Sequence, residues 1–328
     1  MPKIFDALPG IDVPVGAIAH GLHSMWKEAA SQGQPAPASE DATATQVNLV
    51  LHLGFNTTPE DAVAQFGTAA QFSRKYPSRV VILCPLRDES GSIPEMRAKI
   101  YGECTLGKSR DDTRCCEFVL LSYARSQRQF LEYQVSVSIS SDLPLYYWPH
   151  RFSENSALAD YHYLLTRSKR ILIDSAVAPP GSLSYPWPRP EAVRDLAYSR
   201  LLHVRQAIGQ FLSRYPMDAI CSGLREVLVG RAASFPAEGD ALLVWLRERV
   251  GLCGRNRAVF RIETPSGGAP GACSVRFVYD GGKAFSWGGD LASGQSVFDA
   301  DFASGRTTLS ATARLLAPDE ALSDAMFF

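Results

Sequence analysis

The sequence predicts an α/β fold: an N-terminal mixed, mainly parallel sheet with flanking helices, then a smaller α+β C-terminal domain with antiparallel strands. Three observations carry this. First, two continuous apolar runs, QVNLVLHLGF (46–55) and SRVVILCP (78–85), enclose a helix-like stretch at 57–76. Strand, helix and strand within about 40 residues is a βαβ unit, hence a parallel pair with a right-handed crossover. Second, a helical pattern at 154–169 leads into another buried run, RILIDSA (170–176). Third, the style changes after Pro216 to short strand-like runs with Gly-rich turns.

Each element has its own signal. Val15, Ile18, Leu22, Met25, Trp26 and Ala29 recur at helical spacing after Pro14. A polar Pro/Gly stretch, SQGQPAPASEDATA (31–44), reads as a linker. The 57–76 stretch has a Thr cap, Pro59, acids in its first turn and bases in its last, the polarity a helix dipole favours. Runs 95–106 and 112–123 flank a turn-like GKSRDD and read as a hairpin adding an antiparallel edge. Residues 126–140 are ambiguous: Leu131, Tyr133, Val135, Val137 and Ile139 alternate as in a strand, whereas a parallel return to LPLYYW (143–148) needs a helix. Residues 191–215 read as a long amphipathic helix or helix pair. Later come a strand at 224–232, a helix at 239–252, several short strands and a closing helix. The expected divisions are 1–40 (helix and linker), 41–214 (α/β domain) and 215–328 (α+β domain).

Composition narrows the function. A chain of 328 residues that is 46% hydrophobic and 20% charged can bury a sizeable core in about two domains. The net charge of −1 offers no field for nucleic acid or an acidic membrane. Apolar runs fall far short of the roughly 20 residues that span a bilayer, and MPKIFDALPG has no signal-peptide pattern. A cytoplasmic protein is expected. Seven cysteines without CxxC pairs indicate neither a disulfide framework nor a zinc ribbon. Cys115 and Cys116 are poor partners for each other, though one could pair with Cys84, Cys104 or a thiol on another protein; otherwise they are buried strand thiols.

Neither phosphate-cradle motif occurs, nor HExxH, nor GxSxG, so no cofactor, metal or catalytic constellation is expected. PSGGAPG reads as a hairpin loop, and Cys253 as part of a helix C-terminal turn. What remains is polar groups at strand ends, where open α/β sheets bind ligands. DLPLYYWPHR (142–151) ends in His150 and Arg151, RILIDSA in Asp174 and Ser175, and VVILCP is followed by Arg87 and Asp88. If those strands are parallel neighbours, these groups share a rim. Tyr147 and Trp148 point to opposite faces of their strand. Aromatics beside Arg suit a docking hot spot, a small-molecule pocket, or a core strand with no binding role.

In order along the chain, VNLVLHL, YPSRVVIL, TRCCEFVLL, DLPLYYWPHR, RILIDSA, DLAYSRLLHVRQAIGQFL, ALLVWLRERVGL and LAPDEAL resemble segments of the OpcA family, the glucose-6-phosphate dehydrogenase assembly proteins. Tyr76 stands where that family usually has His, Ala197-Tyr198 where it has Asn-Trp, and Pro149 where a second Trp is common. The resemblance implies a non-catalytic accessory protein that promotes the active oligomer of glucose-6-phosphate dehydrogenase in the oxidative pentose phosphate pathway. It also implies redox control through thioredoxin as a partner, with Cys115 and Cys116 as redox candidates. The candidate partner- or ligand-binding residues are Tyr147, Trp148, His150, Arg151, Asp174, Ser175, Tyr198, Ser199 and Arg200. The alternative is an α/β sugar-phosphate-binding protein or enzyme using the rim, with His150 as acid-base group, Asp174 orienting it and Arg151 or Arg200 on a phosphate.

Overall fold

The computed structural model describes residues 4–37, 45–86, 96–106, 113–252, 258–263, 269–303 and 305–328. The turn expected at 107–112, the second half of the linker, Arg87, Asp88, Cys253 and most of PSGGAPG lie outside the described residues. The chain forms two compact units: residues 1–195 with 322–328, and residues 196–321.

The first unit contains, in chain order, α1 (Ile4–Ala7), β1 (Ile11–Val13), α2 (Ile18–Ser31), β2 (Val47–Leu53), α3 (Pro59–Lys75), β3 (Ser78–Leu86), β4 (Arg97–Leu106), β5 (Thr113–Ala124), α4 (Arg128–Ser138), β6 (Leu145–His150), α5 (Asn155–Ala159), α6 (His162–Arg167), β7 (Arg170–Ile173) and β8 (Val193–Asp195). Its eight strands are ordered β1-β4-β5-β3-β2-β6-β7-β8, and β4 alone runs against the rest. This is the mainly parallel sheet with an antiparallel edge that the sequence predicts.

From β2 the chain winds through α3 to β3 on one side, and from β5 through α4 to β6 on the other. Right-handed crossovers in opposite directions place their helices on opposite faces. On one face, Phe66 of α3 packs against Phe118 with ring centroids 4.9 Å apart, and Tyr146 meets Phe327. On the other, Leu22, Leu131, Val135 and Leu165 cover Val50, Val119 and Tyr147. The N-terminal helix, expected as a separate segment, is part of this unit. Gly102 of β4 makes room for it: a Cβ there would lie 2.5–2.6 Å from Met25 and Trp26 atoms. α3 carries the expected signals: Thr58 accepts a bond from the Asp61 amide, Pro59 opens the helix, and Arg74 and Lys75 close it.

Residues 128–138 are helical. Leu131, Val135 and Ser138 are buried, the i, i+4, i+7 set, while Tyr133 and Val137 of the alternating pattern are exposed. The crossover requirement overrides the period-2 pattern. The expected helix at 154–169 is broken into α5 and α6, and the start of the 191–215 stretch forms β8, paired with β7.

The second unit contains α7 (Leu196–Arg200), α8 (Leu202–Leu212), α9 (Met217–Cys221), β9 (Leu224–Gly230), α10 (Pro236–Gly251), β10 (Val259–Glu263), β11 (Ala272–Tyr279), β12 (Ala284–Asp290), β13 (Gln295–Asp301) and β14 (Thr307–Thr312). The sheet order is β10-β9-β11-β12-β13-β14, antiparallel except for the β9/β10 pair. The boundary falls after Asp195 rather than at the expected 214/215. The reason is packing: Val204, Ile208 and Phe211 of α8 are buried with Val227, Phe277 and Phe298 of this sheet. Helix α11 (Pro318–Phe327) ends in residues belonging to the first unit.

Candidate functional site

In doubly wound sheets, the crevice lies at the carboxyl ends of the strands where the winding reverses. Here that point is between β2 and β6. The chain leaves β2 at Leu53-Gly54 and β6 at His150-Arg151, and the two exits touch: the Gly54 amide donates to His150 O at 2.6 Å. A Cβ on Gly54 would lie 2.3 Å from Arg151 O. Arg151 itself has φ +52°, a left-handed conformation rare for a side chain of its size.

Both cationic candidates are tied to α3. His150 Nε2 is 2.8 Å from Asp61 Oδ2, and Arg151 Nε is 2.6 Å from the same oxygen, off the line of a hydrogen bond. Burial raises the Asp61 pKa, but the hydrogen bond and charge of His150, the bond from Gln65 and the charge of Arg151 outweigh it. They hold it down at about 2. The orienting carboxylate is therefore Asp61, not the Asp174 expected from sequence. His150 Nδ1 and Trp148 Nε1 are buried without a hydrogen-bond partner among the described residues.

β6 and β7 are parallel neighbours, as the rim required. Arg151 and Asp174 border the same cavity, but it encloses only about 10 Å³, the space of a single water. Asp174 Oδ1 accepts from the Ala176 amide, and Ser175 bonds Asp195 through both its amide and its hydroxyl. Tyr147 and Trp148 are buried on opposite faces of β6. Tyr198, Ser199 and Arg200 lie in the second unit. There Arg205 stacks 3.8 Å over the Tyr198 ring, Ser199 is buried, and Arg200 Nε donates to the buried Glu238 carboxylate at 2.7 Å.

A buried polar chain starts at Tyr147. Its hydroxyl is 2.8 Å from His52 Nδ1, His52 Nε2 is 2.7 Å from the Tyr123 hydroxyl, and that is 2.6 Å from the Tyr161 hydroxyl. Burial pushes the His52 pKa down to about 3, so the imidazole is neutral at pH 7. Burial likewise lifts Tyr123 and Tyr147 well above the usual phenol range. Tyr161 lines a cavity of about 240 Å³ at the winding reversal, walled also by Gly54, Phe55, Arg125, Phe152 and Glu154. Asp61, His52, Tyr123, Arg125 and Tyr161 escaped the sequence reading. Two signals were present: the lone His inside VNLVLHL, and the acids opening the helix that follows the first central strand.

A larger cleft, about 650 Å³, lies between α2 and α4 and includes Leu22, Trp26, Tyr133 and Val137. Its floor holds a polar cluster in which Trp26 Nε1 and the Arg79 guanidinium both donate to Glu117, at 2.9 Å and 2.6 Å. Along α4, Phe130, Tyr133 and Val137 are 55%, 66% and 56% exposed.

Cys115 is disulfide-bonded to Cys104, directly opposite it across β4 and β5, with Cα atoms 4.0 Å apart. Cys221 is disulfide-bonded as well. Of the partners left open for the Cys115-Cys116 pair, Cys104 is the one taken, by Cys115; the β4/β5 pairing brings the two together. Cys116 is buried. Burial first, then the nearby Glu103 carboxylate, pushes its thiol up to about 12.

Among the described residues, no group of three or more His, Cys, Asp or Glu side chains could hold a metal ion, and no helix is long and apolar enough to cross a membrane. Searches with this chain found no matching protein-family model and no matching curated protein.

Proposed function

We propose that this chain is a non-catalytic, cytoplasmic accessory protein that binds glucose-6-phosphate dehydrogenase and promotes its active oligomer. The ordered motifs that resemble the OpcA family supply the partner. The observation that supports a docking role is the exposed Phe130-Tyr133-Val137 stripe of α4 beside the α2 cleft. Adjoining large apolar side chains on one helix face are what a partner helix or strand covers, and aromatic anchors supply most of the energy at such contacts. The rim first picked out by sequence suits this role less well, because His150 and Arg151 are committed to Asp61. An activator of this kind works by binding the active assembly more tightly than the inactive one and shifting the population by that difference. The Cys104–Cys115 bond offers a place for thioredoxin to act.

The test is size-exclusion chromatography with the dehydrogenase of the same organism, assaying NADPH production in each fraction under reducing and oxidising conditions. Co-elution with raised activity is expected. Separate elution with unchanged activity overturns the assignment.

A further inference from the structure

We propose that the 240 Å³ cavity at the winding reversal binds a small carboxylate carrying a hydroxyl or ammonium substituent, with Tyr161 and Arg125 holding the carboxylate. The argument begins with proton bookkeeping in the buried chain. The Tyr147 hydroxyl is fully buried, and His52 Nδ1 is its partner among the described residues. If Nδ1 carried the imidazole proton, the Tyr147 proton would be left without an acceptor inside the core, which is costly. Tyr147 therefore donates to Nδ1, and the His52 proton sits on Nε2.

Nε2–H then donates to the Tyr123 oxygen, and the Tyr123 proton must go to the Tyr161 oxygen. Tyr161 thus ends the chain as a donor. Each bond polarises the next, which strengthens that terminal proton. No acceptor for it is recorded among the described residues, and Tyr161 lines the cavity.

Arg125 lines the same cavity. Its ion pair with Asp160 is long, 3.5 Å, and Asp160 is held more closely by Arg128. The Arg125 guanidinium therefore retains donors for a ligand oxygen. Glu154, also on the cavity wall, accepts from Ser156 at 3.0 Å and keeps acceptor capacity for a ligand hydroxyl or ammonium. Phe55 and Phe152 supply apolar wall. Two acids beside one arginine disfavour a doubly charged phosphate. The volume lies below the range usual for drug-sized ligands, which points to a molecule of a few carbons.

The probes are glycolate, lactate, alanine and serine, with lactamide as the uncharged control and inorganic phosphate as a second arm, read by ligand-observed NMR and calorimetry on the full chain. This site is separate from the α4 stripe, so failure to bind the dehydrogenase leaves the test unaffected. At least one of the four carboxylates should bind saturably, with lactamide at least tenfold weaker than lactate. Tyr161→Phe and Arg125→Gln should each weaken binding tenfold or more; the latter changes an exposed side chain and keeps the test valid if the former does not fold. No saturable binding at millimolar concentration, tighter binding of phosphate, or unchanged affinity in both variants overturns the proposal.

Discussion

His150 Nε2 lies 2.8 Å from Asp61 Oδ2, joining the end of the central aromatic strand to the first turn of the helix that follows its neighbour strand. The residues are 89 apart in sequence. Arg151, held at φ +52°, shares the same carboxylate oxygen. One acid thus fixes the junction where the sheet reverses its winding.

Asp61→Asn keeps the shape of that side chain and removes its charge. The Asp61 pKa is lowered from 3.8 to about 2. Its stabilisation is therefore complete above pH 3.8 and is lost as pH falls through about 2. Allowing for solvent screening, the variant should be about 1–2 kcal/mol less stable at pH 7. The gap should close below pH 4. Urea unfolding at several pH values measures both effects, and equal stability at pH 7 would remove Asp61 from the junction.

His52 gives a second pH signature in a higher range. Its pKa falls from 6.5 to about 3 on folding. Between those values the unfolded chain binds a proton that the folded chain refuses, so stability is full above pH 6.5 and declines below it. The loss should reach about 3 kcal/mol by pH 4. In His52→Gln the slope between pH 4 and 6 should be shallower by about 1.4 kcal/mol per pH unit. Identical slopes would mean that the imidazole is solvated in the folded state.

The sheet and its crossovers are readable in the chain because β2 and β3 are unbroken apolar runs and α3 carries a cap at one end and bases at the other. Helix α4 is not readable from periodicity, because Ser and Gln alternate with apolar residues and imitate a strand. The rim was placed correctly on parallel neighbours β6 and β7, yet its partners were misassigned. Nothing local in the sequence tells His150 that Asp61 rather than Asp174 faces it. The same holds for the His52-Tyr123-Tyr161 chain, whose members come from three distant segments, whereas Cys104 already lay in the hairpin expected at 95–123 and among the partners left open for Cys115. Arg200 is a candidate binding residue by sequence, but its bond to buried Glu238 makes Arg200→Ala a folding variant.

The thiols should divide sharply. Cys84, Cys116 and Cys273 are free and buried, with thiols pushed up by burial. In the folded protein all three should react with a small alkylating reagent far more slowly than after unfolding. The double substitution Cys104→Ser with Cys115→Ser should lower stability by about 2–3 kcal/mol. Rapid labelling of Cys116 in the oxidised, folded protein would show that this edge of the sheet opens, and mass mapping of the labelled peptides would reveal it.

The α4 stripe separates docking from folding. Phe130, Tyr133 and Val137 are more than half exposed, whereas Leu131 and Val135 of the same helix are buried in the first unit's core. Replacing Tyr133 and Val137 together by Ser should therefore change thermal stability little. If the stripe is the dehydrogenase contact, the same pair of changes should weaken complex formation at least tenfold, because large side chains at the centre of an interface carry most of its energy. Leu131→Ala should do the reverse. It removes buried volume, should cost about 2–4 kcal/mol of stability, and should leave affinity intact for the fraction that remains folded. Calorimetric titration of the dehydrogenase with each variant, paired with urea unfolding, reads the two effects separately. Full affinity in the Tyr133/Val137 variant would move the contact away from α4.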